Sequence, residues 1–369
     1  MPAQRRSRRV LPGVLILFSV LALVGASCAP VAGPSPLASA ASTGVSGPKT
    51  EAPAASTAGA PVPLSIGIAL NIVNAPFFVG VDKGIYLKHG LDAKLVTAPA
   101  GNDAMKALVA GQYQVMSSAW SVVAPAVVQG TPLKVISLIS GGPQANYDDQ
   151  LEIVVRPGLS VKSITDLKGK KIASVFGTTP EIWIRTRLKD SGLDPSKDVK
   201  LINVAFANML SVLQTGAADA AVPVEPYGTL ITRTLAGSTG LLRGGGIVDG
   251  HQILIATPSW IAKNPDLVDR VIAANYEADQ YAREHPEETA AAASHYLSGL
   301  DQETLVASLK TLRYDPRWAD SVEEGFTKTS QQLVDAGLMK SVPDTVSILE
   351  LDKLRGAVTK EAQYTTDLK

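Results

Sequence analysis

The chain has 369 residues, 46% hydrophobic and 18% charged, so it can bury a sizeable core, and its length fits about two domains once any targeting segment is set aside. Lys plus Arg and Asp plus Glu both number 34, which excludes a net field drawing the protein to nucleic acid or to an anionic membrane. The single cysteine, Cys28, excludes an intramolecular disulfide.

At the N-terminus, Arg5, Arg6, Arg8 and Arg9 precede an apolar stretch from Val14 to Val24, and Gly25, Ala26 and Ser27 lead to Cys28. This order reads as an export signal over residues 1–27, because an apolar run of about a dozen residues falls short of the ~20 that a bilayer-spanning helix needs. Cleavage there leaves Cys28 as the first mature residue. The arrangement resembles the lipobox of bacterial lipoproteins, with Gly25 standing where such boxes usually have Leu. We therefore expect a lipid on Cys28, holding the protein to the periplasmic or extracytoplasmic face of the cell membrane; ordinary signal cleavage beside a bystander cysteine is the alternative. From Ala29 to Pro63 the chain is almost wholly Ala, Ser, Gly, Pro, Thr and Val, with Lys49 and Glu51 the only charges. Such a segment has too little large apolar surface to offset the entropy of ordering, so residues 28–63 read as a flexible tether.

From Leu64 onward, short apolar runs alternate with amphipathic segments. Leu64–Leu70, Lys94–Thr97, Val115–Ser118 and Leu133–Ile139 read as strands with helices between them, an α/β pattern that implies a mainly parallel sheet covered on both faces. A weak repeat divides the body. Gly90-Leu91-Asp92 recurs as Gly192-Leu193-Asp194, an offset of 102, and the turn at Gly111 recurs at Gly216, an offset of 105. Pro76 and Pro180 each follow a strand and stand near the start of a helix, where a missing N–H is harmless. The expected division is a first lobe over residues 64–155, a second over 156–250 and a return to the first over 251–369. Leu151–Val155 reads as a hinge strand, and Gln252–Thr257 as the strand of the return. Helical spacing over Pro265–Glu284, Glu287–Leu297, Glu303–Leu312 and Ala319–Ala336 places helices expected to pack on the first lobe.

In parallel α/β sheets, ligands sit beyond the carboxyl ends of the strands, where loops lead into helix N-termini with free N–H groups. The loops so placed supply Asn71, Phe77, Gly101, Asn102, Ser118 and Trp120 from the first lobe, and Gly177, Thr178, Thr179, Glu225 and Tyr227 from the second. Thr179 before Pro180 and Glu181 has an N-cap pattern, Gly177 lets a ligand approach the backbone, and the aromatics offer stacking surface. Trp120 and Glu225 correspond under the repeat and are expected to face each other across the cleft. The four histidines, His89, His251, His285 and His295, have no ligand-like spacing, so no metal or cofactor is expected; His251 alone lies near a crossing between lobes. Gly244-Gly245-Gly246 lacks the Lys-Ser/Thr of a phosphate cradle, and no nucleophile elbow is present.

These motifs carry a family resemblance. The stretch Ala75-Pro76-Phe77-Phe78-Val79-Gly80-Val81-Asp82-Lys83-Gly84-Ile85-Tyr86 leading to His89-Gly90-Leu91-Asp92, with Ala107-Leu108-Val109-Ala110-Gly111-Gln112, Asp166-Leu167-Lys168-Gly169-Lys170-Lys171-Ile172-Ala173, Gly216-Ala217-Ala218-Asp219-Ala220, Glu225-Pro226-Tyr227 and Asn264-Pro265, resembles the periplasmic binding proteins of the sulfonate, taurine, nitrate and thiamine-precursor uptake group, the NMT1/THI5-like or SsuA/TauA family. The resemblance implies a type II periplasmic-binding-protein fold, a Venus-flytrap pair of lobes that closes on one ligand and presents it to an ABC permease and its ATPase. It implies no catalysis, because the relatives that are pyrimidine-phosphate enzymes depend on a cysteine-rich motif absent here. A ligand sensor docking onto a membrane receptor is the other reading. Glu225 points to a ligand with a donor group, a polar organic nitrogen or sulfur compound ahead of an inorganic anion.

Overall fold

The protein is described by a computed structural model covering residues 60–143, 147–249 and 251–368. The export signal, Cys28 and nearly all of the tether lie outside the described residues. Two five-stranded sheets make up two lobes. In the first lobe the elements are β1 (Val62–Ala69), α1 (Ala75–Asp82), α2 (Ile85–Lys88), β2 (Leu91–Ala98), α3 (Gly101–Val109), β3 (Val115–Ala119), α4 (Trp120–Val128) and β4 (Lys134–Ser140). The second holds β5 (Glu152–Val155), β6 (Lys171–Ser174), α5 (Thr179–Asp190), β7 (Lys200–Asn203), α6 (Met209–Gln214), β8 (Ala220–Ala221), α7 (Tyr227–Thr234) and β9 (Thr239–Arg243). The chain returns through β10 (Gln252–Ala256) to the helices α8 (Pro258–Lys263), α9 (Pro265–Glu284), α10 (Pro286–Ser294), α11 (Gln302–Leu309), α12 (Asp320–Asp335), α13 (Thr345–Ile348) and α14 (Leu351–Lys360).

The sheet orders are β2-β1-β3-β10-β4 and β7-β6-β8-β5-β9, the same topology twice. The sequence repeat falls on equivalent points of it. Gly90 and Gly192 stand just before β2 and β7, Gly111 and Gly216 before β3 and β8, and all four have φ between 68° and 78°, a left-handed turn that glycine adopts without strain. Each sheet is parallel except at its fourth position. There β10 runs antiparallel to β3 and β4, and β5 antiparallel to β8 and β9. Each lobe therefore receives its antiparallel strand from chain that has just left the other lobe. This moves the boundary expected at 155: β5 belongs to the second sheet, so the first crossing precedes it and the second precedes β10.

Asp148 stitches the two crossings together. Its carboxylate, wholly buried, accepts hydrogen bonds from the backbone N–H groups of Gly246 (3.0 Å) and Ile247 (2.8 Å) and from Trp183 Nε1 (3.1 Å). Gly244 is required beside it, since an added Cβ would stand 3.0 Å from the Asp149 Cα.

Parallel strands covered on both faces read as nearly continuous apolar runs, and β1 carries buried Leu64, Ile66 and Ile68 under α1 and α9. A second apolar cluster runs from α3 and α4 through the second sheet to α12. The C-terminal helices do not pack on the first lobe alone. Helix α12 contacts both α4 and α5, and α11 contacts α7. Lys189 Nζ donates to the Asp335 carbonyl (2.6 Å), and Arg233 grips Glu303 with both terminal nitrogens (2.8 and 2.6 Å). Among the described residues no helix is long and apolar enough to cross a membrane.

Candidate functional site

The parallel strands of both sheets end at the cleft, and because β10 and β5 run the other way, their first residues arrive at the same place. Gln252 pairs opposite Ala119 at the end of β3, and Leu151, just before β5, bridges Val224 just past β8. Each lobe thus brings a nearly buried glutamine, Gln252 or Gln150, to the strand ends. Around them closes a pocket of about 460 Å3, whose polar lining is Asn71, Ser117, Ser118 and Gln252 from the first lobe with Gln150, Thr178 and Thr179 from the second. Phe206, Val73, Val122 and Val224 supply apolar walls.

The floor is a neutral hydrogen-bond network. Buried Asn74 donates to the Ala69 carbonyl (2.8 Å) and to Asn71 Oδ1 (3.2 Å), and accepts from Ser117 Oγ (2.7 Å). Gln252 Nε2 in turn donates to Ser117 Oγ (2.8 Å). Ser118 is different: its hydroxyl is buried at the pocket wall with no hydrogen-bond partner among the described residues. An unsatisfied buried hydroxyl costs stability unless something else completes it. Gly101 makes the room, because a Cβ there would approach Ser118 Oγ to 3.1 Å.

No ionisable side chain lines this pocket. Its positive character comes from backbone: α3 starts at Gly101, α4 is entered through Ala119 and α5 starts at Thr179, so three helix N-termini open on one space. Glu181 does not compete for them. Its carboxylate accepts from the Gly177 N–H (2.8 Å) and is held by Arg185 Nε and Nη2 (2.9 and 2.7 Å). The lobes already touch across the pocket, through Ser121 Oγ and Thr179 Oγ1 (2.7 Å), Asn102 Nδ2 to the Phe176 carbonyl (3.4 Å) and Tyr227 Oη to the Leu70 carbonyl (3.4 Å).

Of the residues named from sequence, Asn71, Gly101, Ser118, Thr178 and Thr179 line the pocket. The Thr178 and Thr179 hydroxyls do not cap α5; Thr178 Oγ1 donates to the Val175 carbonyl (2.6 Å). Asn102 and Gly177 line an adjoining groove instead. Tyr227 stands one layer back, its ring 6.1 Å from that of the wall residue Phe206. Three expectations are corrected. Phe77 is wholly buried in the first-lobe core. Trp120 is wholly buried too, stacked on Phe326 at 4.5 Å with its Nε1 donating to the Phe326 carbonyl (2.9 Å) and Ser330 Oγ (3.0 Å). Glu225, at 0% exposure, is ion-paired to Arg243 Nη1 (2.8 Å) and accepts from the Thr229 N–H (3.0 Å) and Ser308 Oγ (3.2 Å). Trp120 and Glu225 therefore turn away from the cleft into separate cores. The residues that reading missed, Ser117, Gln150 and Gln252, sit on or before strands whose antiparallel direction nothing local in the sequence encodes.

Two α/β lobes of one topology, crossed twice by the chain and closing on a polar pocket, define a solute-binding protein of the periplasmic type. The NMT1/THI5-like family model matches residues 71–289, more than half of the chain, and the chain belongs to that family. It is similar to a Brucella abortus chain named as a binding protein, 26% identical over 262 residues that span 69% of this chain and 73% of the relative. It is also similar to the nitrate/nitrite binding protein NrtA of Synechococcus elongatus, 24% identical over 60% of this chain and 56% of the other. The structure of the periplasmic aliphatic sulphonate binding protein SsuA from Escherichia coli matches with a TM-score of 0.68 at 20% identity, covering 78% of this chain and 92% of that one, a likeness of fold. The chain is a binding protein of the ABC-import type and not an enzyme.

Proposed function

We propose that this protein captures a small molecule bearing an acceptor-rich oxyanion head, of the sulfonate type, and delivers it to an ABC permease while anchored through Cys28. The observation that carries the reading is a pocket that offers donors and no carboxylate: three helix N-termini, two glutamines, an asparagine and the unpartnered Ser118 hydroxyl. The preference for a donor-bearing ligand rested on Glu225, which Arg243 and Ser308 occupy, so a pyrimidine precursor loses its main support. The names of NrtA and SsuA, one a nitrate/nitrite and the other a sulphonate binder, both point to oxyanions. A thermal-shift panel of methanesulfonate, taurine, nitrate and an aminopyrimidine tests this, since a ligand that binds only the folded state raises the melting temperature. Shifts with the oxyanions are expected; a shift with the aminopyrimidine alone would overturn the reading. Cys28→Ser is expected to release the protein from membranes, and an unchanged membrane fraction would remove the anchor from the proposal.

A further inference from the structure

The polar pocket is not closed on all sides. Val122 and Thr178 line both it and a larger groove of about 1280 Å3, counted to its open mouth, between α3, α4, α5 and α12. Helical spacing builds the groove. Met105 and Val109 lie one turn apart on α3, Ser121 and Pro125 one turn apart on α4, Ile182 faces in from α5, and Leu333 and Leu338 come from the end of α12 and the turn beyond it. Val109 is 57% exposed, one of three large apolar side chains so exposed among the described residues. Glu181, the acidic group on the groove wall, is neutralised by Arg185. At the junction of the two compartments stands the inter-lobe hydrogen bond between Ser121, a groove residue, and Thr179, a pocket residue.

We infer that the ligand is amphipathic: an oxyanion head in the polar pocket joined to an apolar body that passes the Ser121–Thr179 contact and lies along Met105, Val109, Pro125 and Leu338. The inference rests on the oxyanion reading above and adds to it that a compact inorganic anion fills only the inner compartment. Continuity of the two spaces through shared walls argues for one occupant, and apolar walls on both lobes and on α12 give that occupant a share in closing the clamp.

Calorimetric titration of the full mature chain with linear alkanesulfonates from one to eight carbons tests this, alongside octyl glucoside as a probe of equal tail and no charge. Affinity is expected to rise about fourfold for each methylene that leaves water, over the first several carbons. In Leu338→Asn and Val109→Asn, both near the surface and remote from the core, that rise should flatten while methanesulfonate binds as in the parent. Methanesulfonate binding with no dependence on chain length would overturn the amphipathic inference and leave the oxyanion reading standing. Failure of every sulfonate to bind would overturn both. Octyl glucoside binding as tightly as octanesulfonate would reduce the groove to an unspecific apolar surface.

Discussion

Ser118 and Trp120 are two residues apart at the end of one strand, and they have opposite fates. The strand's alternation turns the Ser118 hydroxyl to the pocket, while Trp120, first residue of α4, folds its ring against Phe326 more than two hundred residues away in sequence. We expect Ser118→Ala to weaken ligand binding by about 1–2 kcal/mol with little change in melting temperature, since the lost hydroxyl bonds nothing in the protein. Trp120→Ala should do the reverse, lowering stability by about 3–5 kcal/mol through the cavity it leaves. Glu225→Gln should likewise lower the melting temperature and leave the dissociation constant unchanged, because Arg243 loses a buried partner. Calorimetry beside a melting curve separates the two kinds of residue. The loops that hold the site could be read from the sequence; which side chain on a loop turns inward could not, because that is decided by distant partners such as Phe326 and Ser308.

Elements with a strong local pattern were legible. Helix α9 spans Pro265–Glu284 as its apolar spacing predicts, and Pro76 and Pro180 sit in the first turns of α1 and α5. Strand direction was not legible, because β5 and β10 are as apolar as their parallel neighbours; neither were the short α13 and the amphipathic α14. Two buried ionisable groups on these elements give opposite pH dependences. His251, just before β10, is pushed down from 6.5 to about 4 by burial, against a smaller upward pull from Asp315. Between those values the unfolded chain holds a proton that the folded chain refuses, so this contribution is complete above pH 6.5 and falls away as pH drops to about 4, by roughly 3 kcal/mol in all. Asp279 on α9 is raised well above 3.8, chiefly by burial, so the folded chain keeps a proton the unfolded chain gives up, and stability is lost as pH rises from near 4. Urea melts from pH 4 to 8 should show Asp279→Asn gaining stability on the parent as pH rises; a constant difference between the two would contradict this account.

At the scale of the whole molecule, the C-terminal helices make the clamp a three-part object. Helix α12 touches both lobes, Lys189 reaches the Asp335 carbonyl, and Gln332 reaches the Ile247 carbonyl at 2.7 Å, so opening the cleft must move these contacts as well as the Asp148 stitch between the crossings. The two-lobed plan itself was visible in the repeat around Gly90 and Gly192, whereas the exchange of β5 and β10 between lobes emerges only from long-range pairing. The central claim is that one oxyanion-headed ligand is held at once by helix N-termini from both lobes. Hydrogen exchange with and without saturating sulfonate measures this directly. Backbone amides at the starts of α3 and α4 in the first lobe and of α5 in the second should slow together, with the outer α14 unchanged; protection confined to one lobe, with binding established, would contradict it.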